Sequence, residues 1–527
     1  MPTTYQAPGV YVEEVPGGSR PIEGVGTSVA AFVGFAEKGP LDKPVRVTNW
    51  TQYTNTFGGF IKNGYMPLSV YGFFANGGGN AWIVRVGGDV VTETATLALP
   101  GRAGAAESLR ITSKLPGVEG NGVTVEVTEE APPPPPEGSE APAPDADGGR
   151  FRIRVTAPTH TEEIFEGLTL RRGDARNVVD VINSLELGSK LITVEDLAPR
   201  GVSVADRQPA PNTYNLNGGI EQVQALVPAD FQGSVAARAG IEGLEALDDV
   251  TMVVVPDIMK AYQDGLLDMD GVISLQKAIL AHCANMGDRV AILDTPPNMN
   301  PTEVDDWKMK TANLFSEDGY GALYYPWIKV DDPATRSTSF VPPSGHIAGV
   351  WSRSDDRRGV HKAPANEELL GALDLQTHLT QAELGGLNVH SINCVRAFPG
   401  RGIRVWGART LAEASSEWRY INVRRLFNYL KESIDLGTQW VVFEPNDDGL
   451  WARVRRDITA FLTRTWGGGA LFGTTAEEAF YVKCDRETNP PEIIDAGMMV
   501  CEIGLAPVKP AEFVIFHIRQ ITPGATE

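Results

Sequence analysis

Cysteine and histidine are scarce in this chain. Its 527 residues include only 4 cysteines and 7 histidines. The cysteines stand far apart and form no CxxC pair, and no two histidines are spaced as ligands one helical turn apart; the four positions are Cys283, Cys394, Cys484 and Cys501. A disulfide scaffold or a zinc knuckle is therefore not expected, and a reducing compartment suits the chain. We predict no metal and no cofactor.

Long apolar runs and an excess of positive charge are also missing. No hydrophobic run approaches the roughly 18 residues that a membrane-spanning helix needs. The N-terminus lacks the basic and apolar regions of a signal peptide, so we expect synthesis and folding in a cytoplasm. The 46 Lys and Arg residues face 67 Asp and Glu residues, a net charge of −21, which repels phosphate backbones. Neither nucleic acid nor a membrane is an expected partner.

The composition that remains is globular, with 42% hydrophobic residues, 56 glycines and 37 prolines. At roughly 100–200 residues per domain, this length predicts three or four domains. Shifts in composition and pattern divide the chain into an arm with a strand (1–20), an α/β unit (21–90), a β-rich insertion with a proline-rich loop at 131–149 (91–228), a second α/β unit (229–365) and a C-terminal segment (366–527).

Strands and helices alternate in the second α/β unit. Apolar strands at residues 250–255 and 289–294 flank a helix at 271–285, an order that predicts a parallel, doubly wound sheet. The C-terminal segment carries two amphipathic helices, at residues 421–434 and 451–466. At 100° per residue, three cations of the second helix share the face opposite its apolar stripe: Arg453, Arg456 and Arg464.

Signals of catalysis are weak. Asp257 and Asp294 end strands, where active sites of α/β proteins often form, but without a partnered nucleophile we favour a structural role as caps of the following helix or turn. The tripeptide at residues 344–346, Ser-Gly-His, is interpreted as a loop without the spacing of a nucleophile elbow. We predict no enzyme. A hydrolase built on residues 229–365 remains the alternative, to be tested by mutation of Asp257 and His361.

The two chain ends are the most informative features because both favour strands. The relevant residues are Val10, Tyr11, Val12 and Val15 near the start, and Phe513, Val514, Ile515, Phe516 and Ile518 near the end. An unpaired apolar strand is an aggregation hazard unless it has a defined partner, and addition to a neighbour's sheet would supply one. The alternative is pairing of the two ends within one subunit.

Several long stretches resemble contractile tail sheath proteins, including those of phage-tail-like injection particles and R-type pyocins. The resemblance rests on PGVYVEEVPGGSRPIEGVGTSVAAFVG (8–34), PPSGHIAGVWSRSDDRRGVHKAPAN (342–366), VRAFPGRGIRVWGARTLA (395–412), WRYINVRRLFNYLKESI (418–434) and GTQWVVFEPND (437–447). The proline-rich stretch at 131–149 departs from the family pattern.

This resemblance implies a multidomain α/β fold. Its core α+β domain is built from both chain ends, residues 21–90 and 366–527, with the β-rich insertion (91–228) and a doubly wound, subtilisin-like domain (229–365) between them. The resemblance also implies that an arm strand at 10–15 and a terminal strand at 513–521 add to a sheet of adjacent copies, with 498–505 contributing to the acceptor. "Subtilisin-like" describes topology and brings no catalytic Ser/His/Asp set.

The function that the resemblance implies is mechanical. Copies of the chain would surround an inner tube protein, bounded by a baseplate and by tail-terminator or cap proteins, within a phage tail or a released tail-like particle. Contraction from a metastable extended state would drive the tube through a target envelope. We expect the cluster of Arg453, Arg456 and Arg464 to touch an acidic tube surface, the alternative being a solvated helix face. Deletion of residues 1–20 is expected to prevent polymerisation. A non-contractile tube or shell protein is the other alternative.

Overall fold

A computed structural model describes residues 21–87, 90–102, 107–130, 149–158, 160–197, 203–223 and 227–517. The contacts divide the chain into two compact units, one formed by residues 1–87 and 226–527 and the other by residues 88–225. Over the described ranges, no helix combines the length and the apolar character that crossing a bilayer requires. Most of the proline-rich stretch, residues 131–148, lies outside the described residues.

The strands are numbered in chain order. They are β1 (Val29–Gly34), β2 (Val45–Val47), β3 (Asn80–Arg85), β4 (Val90–Glu93), β5 (Thr96–Pro100), β6 (Glu107–Ser113), β7 (Thr124–Glu130), β8 (Arg150–Thr156), β9 (Glu163–Leu168), β10 (Ile192–Asp196), β11 (Asn212–Asn215), β12 (Ile220–Val223), β13 (Met252–Val254), β14 (Val290–Asp294), β15 (Gly321–Tyr325), β16 (Ile328–Asp332), β17 (Ser337–Val341), β18 (Asp374–Leu375), β19 (Ile392–Phe398), β20 (Gly402–Trp406), β21 (Phe480–Lys483) and β22 (Glu502–Leu505).

The helices are numbered in the same way. They are α1 (Trp50–Phe57), α2 (Met66–Ala75), α3 (Val178–Ile182), α4 (Pro228–Gln232), α5 (Asp257–Gln263), α6 (Met269–Met286), α7 (Pro301–Asp306), α8 (Ser344–Arg358), α9 (Gln381–Val389), α10 (Ile421–Thr438), α11 (Asp448–Gly467), α12 (Ala476–Ala479) and α13 (Pro491–Asp495). Short 3₁₀ turns cover Gly117–Gly122, Glu242–Ala246 and Gln439–Val441, and a π turn, Trp307–Ala312, extends α7.

An eight-stranded sheet organises the first unit, in the order β2-β3-β1-β13-β14-β15-β19-β20. The strands from β3 to β19 run parallel, and β2 and β20 are antiparallel edges. Strand β1 shows why the pattern is continuously apolar: Ala31 and Val33 pack into the core on one face, and Ala30 and Phe32 into the core on the other. Helices α5 and α6 cover the first face, and α2 and α8 cover the second. The predicted mixed α/β fold is confirmed.

This sheet differs from the predicted division into domains. It joins β1 and β3 from residues 21–90, β13 to β15 from 229–365, and β19 and β20 from 366–527. The physical reason is burial: the backbone groups of a strand covered on both faces cannot hydrogen-bond to water, so they need paired strands on both edges, and β1 obtains these from β3 and β13. The doubly wound sheet is therefore assembled from three segments that the sequence pattern separates.

The second unit is rich in strands and contains one short helix among its described residues. Its sheets have the orders β10-β6-β5, β11-β7-β8-β9 and β12-β4. Alternate residues of β7 and β8 point into a single apolar core, as the period of two in a half-buried strand requires; they are Val125, Val127, Phe151, Ile153 and Val155.

Candidate assembly interface

Two helices and a small sheet form a separate apolar core near the C-terminus of the chain. Helix α11 begins at an N-cap, where the Asp447 carboxylate accepts the Leu450 N–H at 2.8 Å. Its predicted apolar stripe is buried against α10 and β21 through Trp451, Val454, Ile458, Phe461 and Leu462. This core anchors the small sheet and the two features on either side of it, the terminal segment and the cationic helix face.

The small sheet has only two strands, β21 and β22, among the described residues. Their antiparallel register pairs Phe480 with Leu505 and Val482 with Ile503. A two-stranded sheet is marginal on its own, and its free backbone groups are a template for further strands. The sheet is therefore a candidate acceptor of strands from another chain.

The predicted strand run at 498–505 is a strand only in its second half. The side chain of Asn489 hydrogen-bonds to both backbone groups of Val500: its amide oxygen accepts the Val500 N–H at 2.6 Å, and its amide nitrogen donates to the Val500 carbonyl at 2.9 Å. Those two bonds replace the ladder contacts that a strand would make there, so β22 begins at Glu502. The predicted acceptor is thus shortened, with its start fixed by an asparagine.

A partly buried ion pair holds the chain just before its terminal segment. The Glu512 carboxylate accepts from Arg409 Nε at 2.8 Å and Nη2 at 2.7 Å, from Asn388 Nδ2 at 2.8 Å and from the Tyr420 hydroxyl at 3.2 Å. Burial opposes ionisation of Glu512, but the donors, led by Arg409, outweigh it and lower its pKa. Glu512 is therefore an anchored carboxylate, which we call the Glu512 clamp.

The residues after the clamp are apolar and exposed. Phe513, Val514, Ile515 and Phe516 are 72%, 68%, 75% and 83% exposed and belong to no strand. Large apolar side chains in contiguous exposure are unusual in a soluble monomer and mark an interaction site. The other predicted exchange residues, Val10, Tyr11, Val12, Val15 and Ile518, lie outside the described residues. Their pairing stays a prediction.

A second exposed apolar feature was not found from the sequence. Phe443 is fully exposed and has a φ of 67°, a left-handed conformation that bulky residues rarely adopt. Its neighbour Val442 is also exposed, and three residues later the Asn446 amide donates to the Met498 carbonyl at 2.9 Å. The loop between α10 and α11 therefore lies beside the chain that leads into β22.

The three arginines of α11 do not form a free cationic cluster. Arg464 donates to the Ile22 carbonyl at 2.6 Å, which ties the helix to the chain that follows the N-terminal arm. Arg453 lies 3.7 Å from a carboxylate oxygen of Glu444, and Arg456 lies 3.2 Å from Asp457. Arg453 and Arg456 keep about half of their side-chain surface exposed, so both remain available to a partner.

The strand-end carboxylates of the alternative hydrolase are structural. Asp257 is fully buried and accepts backbone N–H groups from Phe35 at 2.6 Å, from Tyr65, and from Met66 at 3.2 Å. Burial raises its pKa to about 7, against the effect of these donors. The prediction that it caps the helix that follows it is wrong, because its oxygens cap the start of α2 instead.

Asp294 plays the same part for α8. It accepts the Ser344 N–H at 2.9 Å and its hydroxyl at 2.5 Å, and burial raises its pKa to about 7. The interpretation of residues 344–346 as a loop is wrong, since they form the buried first turn of α8. The reason is a close helix crossing: Gly345 lies against Ser69 of α2, and His346 fills the space beside Gly72.

Ser344, His346 and His361 do not form a solvent-accessible catalytic site. Ser344 is fully buried, and burial lowers the pKa of His346 to about 4, so the ring is neutral at pH 7. His361 stands after the end of α8, and its pKa is lowered mainly by burial. Within the described ranges, no three or more His, Cys, Asp or Glu side chains are grouped so that they could hold a metal ion.

The Glu512 clamp gives a prediction that needs no assembly. Glu512→Gln should loosen residues 508–512, because an amide accepts these donors more weakly and charge-assisted hydrogen bonds contribute about 1.5–3 kcal/mol. The Val508 N–H, which donates to the Ala470 carbonyl at 3.3 Å, should exchange with solvent at least about tenfold faster, as hydrogen-exchange mass spectrometry would report. Glu413→Gln, at an exposed carboxylate, is the control. Equal exchange in both variants would contradict the anchoring role.

Comparison with protein families identifies the class of protein to which this chain belongs. Residues 249–411 match the model of the phage tail sheath protein central domain, and residues 413–521 match that of the phage tail sheath C-terminal domain. The chain belongs to the contractile tail sheath protein family. This membership confirms the family predicted from the sequence and favours a structural protein over an enzyme.

Tail sheath proteins of several phages are similar to the chain in sequence. The chain is 30% identical over 198 residues to the tail sheath protein of Burkholderia phage BcepMu, 36% of this chain and 40% of the relative. It is 23% identical over 456 residues to that of Enterobacteria phage T4, 78% of this chain and 64% of the relative. The match to the tail sheath protein of Vibrio phage KVP40 covers 31% of that protein. The chain therefore spans between about a third and two thirds of the length of these relatives.

Solved structures show the same fold over nearly the whole chain. The sheath complex of an extracellular contractile injection system, PVC, in the contracted state has a TM-score of 0.55 at 24% identity, covering 98% of this chain and 99% of that chain. The helical sheath of the anti-feeding prophage in the contracted state has a TM-score of 0.56 at 22% identity, covering 98% and 100%.

Proposed function

We propose that this chain is the sheath subunit of a contractile, phage-tail-like injection apparatus. Copies polymerise around an inner tube in a metastable extended state and contract to drive the tube through a target envelope. The observation that carries this proposal is the exposed apolar segment at residues 513–516 in a chain of the sheath family, close in sequence to a sheet with unfilled edges. The proposal includes assembly in the cytoplasm of the producing bacterium into a phage tail or tail-like particle.

Strand exchange explains how such a polymer holds together while it moves. Each backbone hydrogen bond contributes about 0.5–1.5 kcal/mol net, so a strand of five or six bonds holds two subunits by several kcal/mol. The donor strand is the segment after the Glu512 clamp, and the acceptor is the β21–β22 sheet of another copy. Subunit bodies can then rotate while the exchanged strands keep them linked.

The remaining parts of the chain take roles consistent with this mechanism. In our proposal the doubly wound region around β13–β15 corresponds to the subtilisin-like domain of the family, and the core α+β domain uses both chain ends. An inner tube protein, a baseplate and tail-terminator or cap proteins are the proposed partners. No nucleotide takes part, since the free energy comes from new subunit contacts in the contracted state.

Electron microscopy tests the proposed function directly. The chain would be expressed with the neighbouring genes of its operon, and particles would be imaged by negative stain before and after a contraction stimulus. We expect long, thin sheaths and short, wide sheaths of the same protein. Particles of one fixed length and width would instead support a non-contractile tube or shell, and hydrolase activity lost on mutation of Asp257 and His361 would support the enzyme.

The cationic face of α11 can be tested in the same particles. Arg453→Glu combined with Arg456→Glu should give subunits that fold but sheaths that lack an inner tube, because two exposed cations would repel instead of attract an acidic surface. Lys62→Glu combined with Lys277→Glu changes the net charge equally at exposed sites elsewhere and is the control. Arg464→Glu is studied separately because it also breaks the bond to Ile22. Tube-filled sheaths from the Arg453 and Arg456 variant would rule out this contact.

A further inference from the structure

Two of the four cysteines meet at the end of the small sheet. The β21–β22 register pairs Lys483 with Glu502, so the next opposed pair is Cys484 with Cys501. The two thiols share a side-chain hydrogen bond. The connection at residues 484–501, which contains α13, brings these two cysteines together although they are distant in sequence.

The position within the ladder favours a covalent link. The Ala506 N–H donates to the Ala479 carbonyl at 2.9 Å, which makes that opposed pair a hydrogen-bonded one. Opposed pairs alternate along an antiparallel ladder, so Cys484 and Cys501 occupy a non-hydrogen-bonded pair, where Cα atoms stand about 4.5 Å apart. Disulfides need a Cα separation of about 4.4–6.8 Å. No large backbone movement is required to form the bond.

The pair lies beside a surface cavity and consists of one buried and one partly exposed cysteine. Cys484 is buried, with the Asn489 amide 3.9 Å from its sulfur, whereas Cys501 is partly exposed. A surface cavity of about 380 Å³ is lined by Cys484 and by Arg455, which donates to the Cys484 carbonyl at 3.0 Å. A small oxidant can therefore approach the pair from the cavity on the Cys484 side or from the partly exposed side of Cys501.

We propose that Cys484 and Cys501 are a redox modification site that forms a reversible disulfide with a small disulfide oxidant such as oxidised glutathione. The thiolate of one cysteine attacks one sulfur of the oxidant, forming a mixed disulfide and releasing one glutathione thiolate. The thiolate of the other cysteine then attacks the protein sulfur of that mixed disulfide and releases the second glutathione thiolate. Two protein thiols are oxidised, one glutathione disulfide is reduced to two glutathiones, and the two thiol protons pass through solvent to the released thiolates.

Burial of the pair makes this exchange slow near neutral pH. Burial raises the pKa of Cys501 to about 12 and also raises that of Cys484. Arg455 of α11 acts in the opposite direction on both thiols, and Asp485 adds to the rise at Cys484. Because only the thiolate attacks, the rate should rise about tenfold for each pH unit between pH 7 and 9.

The consequence for assembly rests on the proposed function. The disulfide would join the end of β21 to the start of β22, the two strands of the proposed acceptor of strands from other copies. This link restricts separation of β21 from β22, so an exchanged strand would be held by a stiffer acceptor. Subunits made reduced in a cytoplasm would gain this staple after release into oxidising surroundings.

The test uses the isolated, reduced full-length chain with oxidised glutathione at pH 8.5. Thiols titrated in denaturant should fall from four to two, and peptide mapping should find Cys484 linked to Cys501. A Cys283→Ser and Cys394→Ser variant should still lose two thiols, whereas a Cys484→Ser and Cys501→Ser variant should form no intramolecular link.

Two results would overturn the site: four titratable thiols in the treated wild-type chain, or mapping that links any other pair. The mapping of the wild-type chain does not depend on how well a variant folds. Since the readout uses unassembled subunits, a chain that contracts normally in electron micrographs but forms no link would overturn the redox site and leave the proposed function intact.

Discussion

Subunits that end at Glu512 are expected to fold, stay soluble and fail to polymerise. The four large apolar residues that follow make no strand within the subunit and are mostly exposed, so their removal costs the monomer little. An assembly that depends on them as an added strand loses every intersubunit backbone bond of that strand. Sedimentation velocity should show a monomer with a wild-type thermal midpoint, and negative-stain images should show no sheaths.

Two double variants distinguish backbone strand pairing from nonspecific hydrophobic association. Val514→Pro with Ile515→Pro removes two adjacent backbone N–H groups, one on each side of the strand, and should abolish sheaths as truncation does. Val514→Thr with Ile515→Thr lowers apolar surface but keeps both donors and a high strand preference, so sheaths should persist in lower yield. Sheaths of normal length from the proline variant would refute strand donation.

The sequence predicts best those helices and strands whose apolar pattern does not depend on which neighbour they pack against. Helix α10 begins at the predicted residue, Ile421, and α11 buries its predicted stripe, because a 3.6-residue period needs only an apolar neighbour of any kind. Strand β13 lies within the apolar strand predicted at residues 250–255. What the pattern did not reveal was which strands lie beside β13, because parallel pairing joins residues that are more than 200 positions apart, as in the pairing of Ala30 with Met252.

The two wrong secondary-structure predictions, at residues 344–346 and 498–501, both arise from hydrogen bonds made by polar side chains. Residues 344–346 look like a loop because Ser, Gly and His are poor helix formers, yet a buried carboxylate caps that helix from another strand. Residues 498–501 look like a strand until Asn489 takes their hydrogen bonds. Both outcomes depend on one distant side chain. Residues 513–516 are exposed and belong to no strand, and their pairing with another copy stays a prediction.

Breaking one buried ion pair is expected to have the largest effect on stability. Arg425 of α10 and Asp355 of α8 are each about 3% exposed and form two hydrogen bonds, at 2.9 Å and 2.5 Å. Arg425 also donates to the Thr27 carbonyl at 2.9 Å, and the Thr27 hydroxyl donates to Asp355 at 2.7 Å. Arg425→Met would leave the carboxylate buried without its cation, at a cost of about 3–5 kcal/mol. Urea unfolding should show a clearly lower midpoint.

Two comparisons decide whether the pair itself is responsible. Arg357→Met, at an exposed position of α8, should change the free energy of unfolding by no more than about 0.5 kcal/mol. Arg425→Met combined with Asp355→Leu should recover most of the loss, because apolar replacement of both partners leaves no charge stranded. A double variant as unstable as the sum of its single variants would contradict the pairing. Because Thr27 follows the N-terminal arm, the same pair fixes the root of that arm to α8 and α10, so sheaths of the recovered double variant would show whether charge is needed there for assembly.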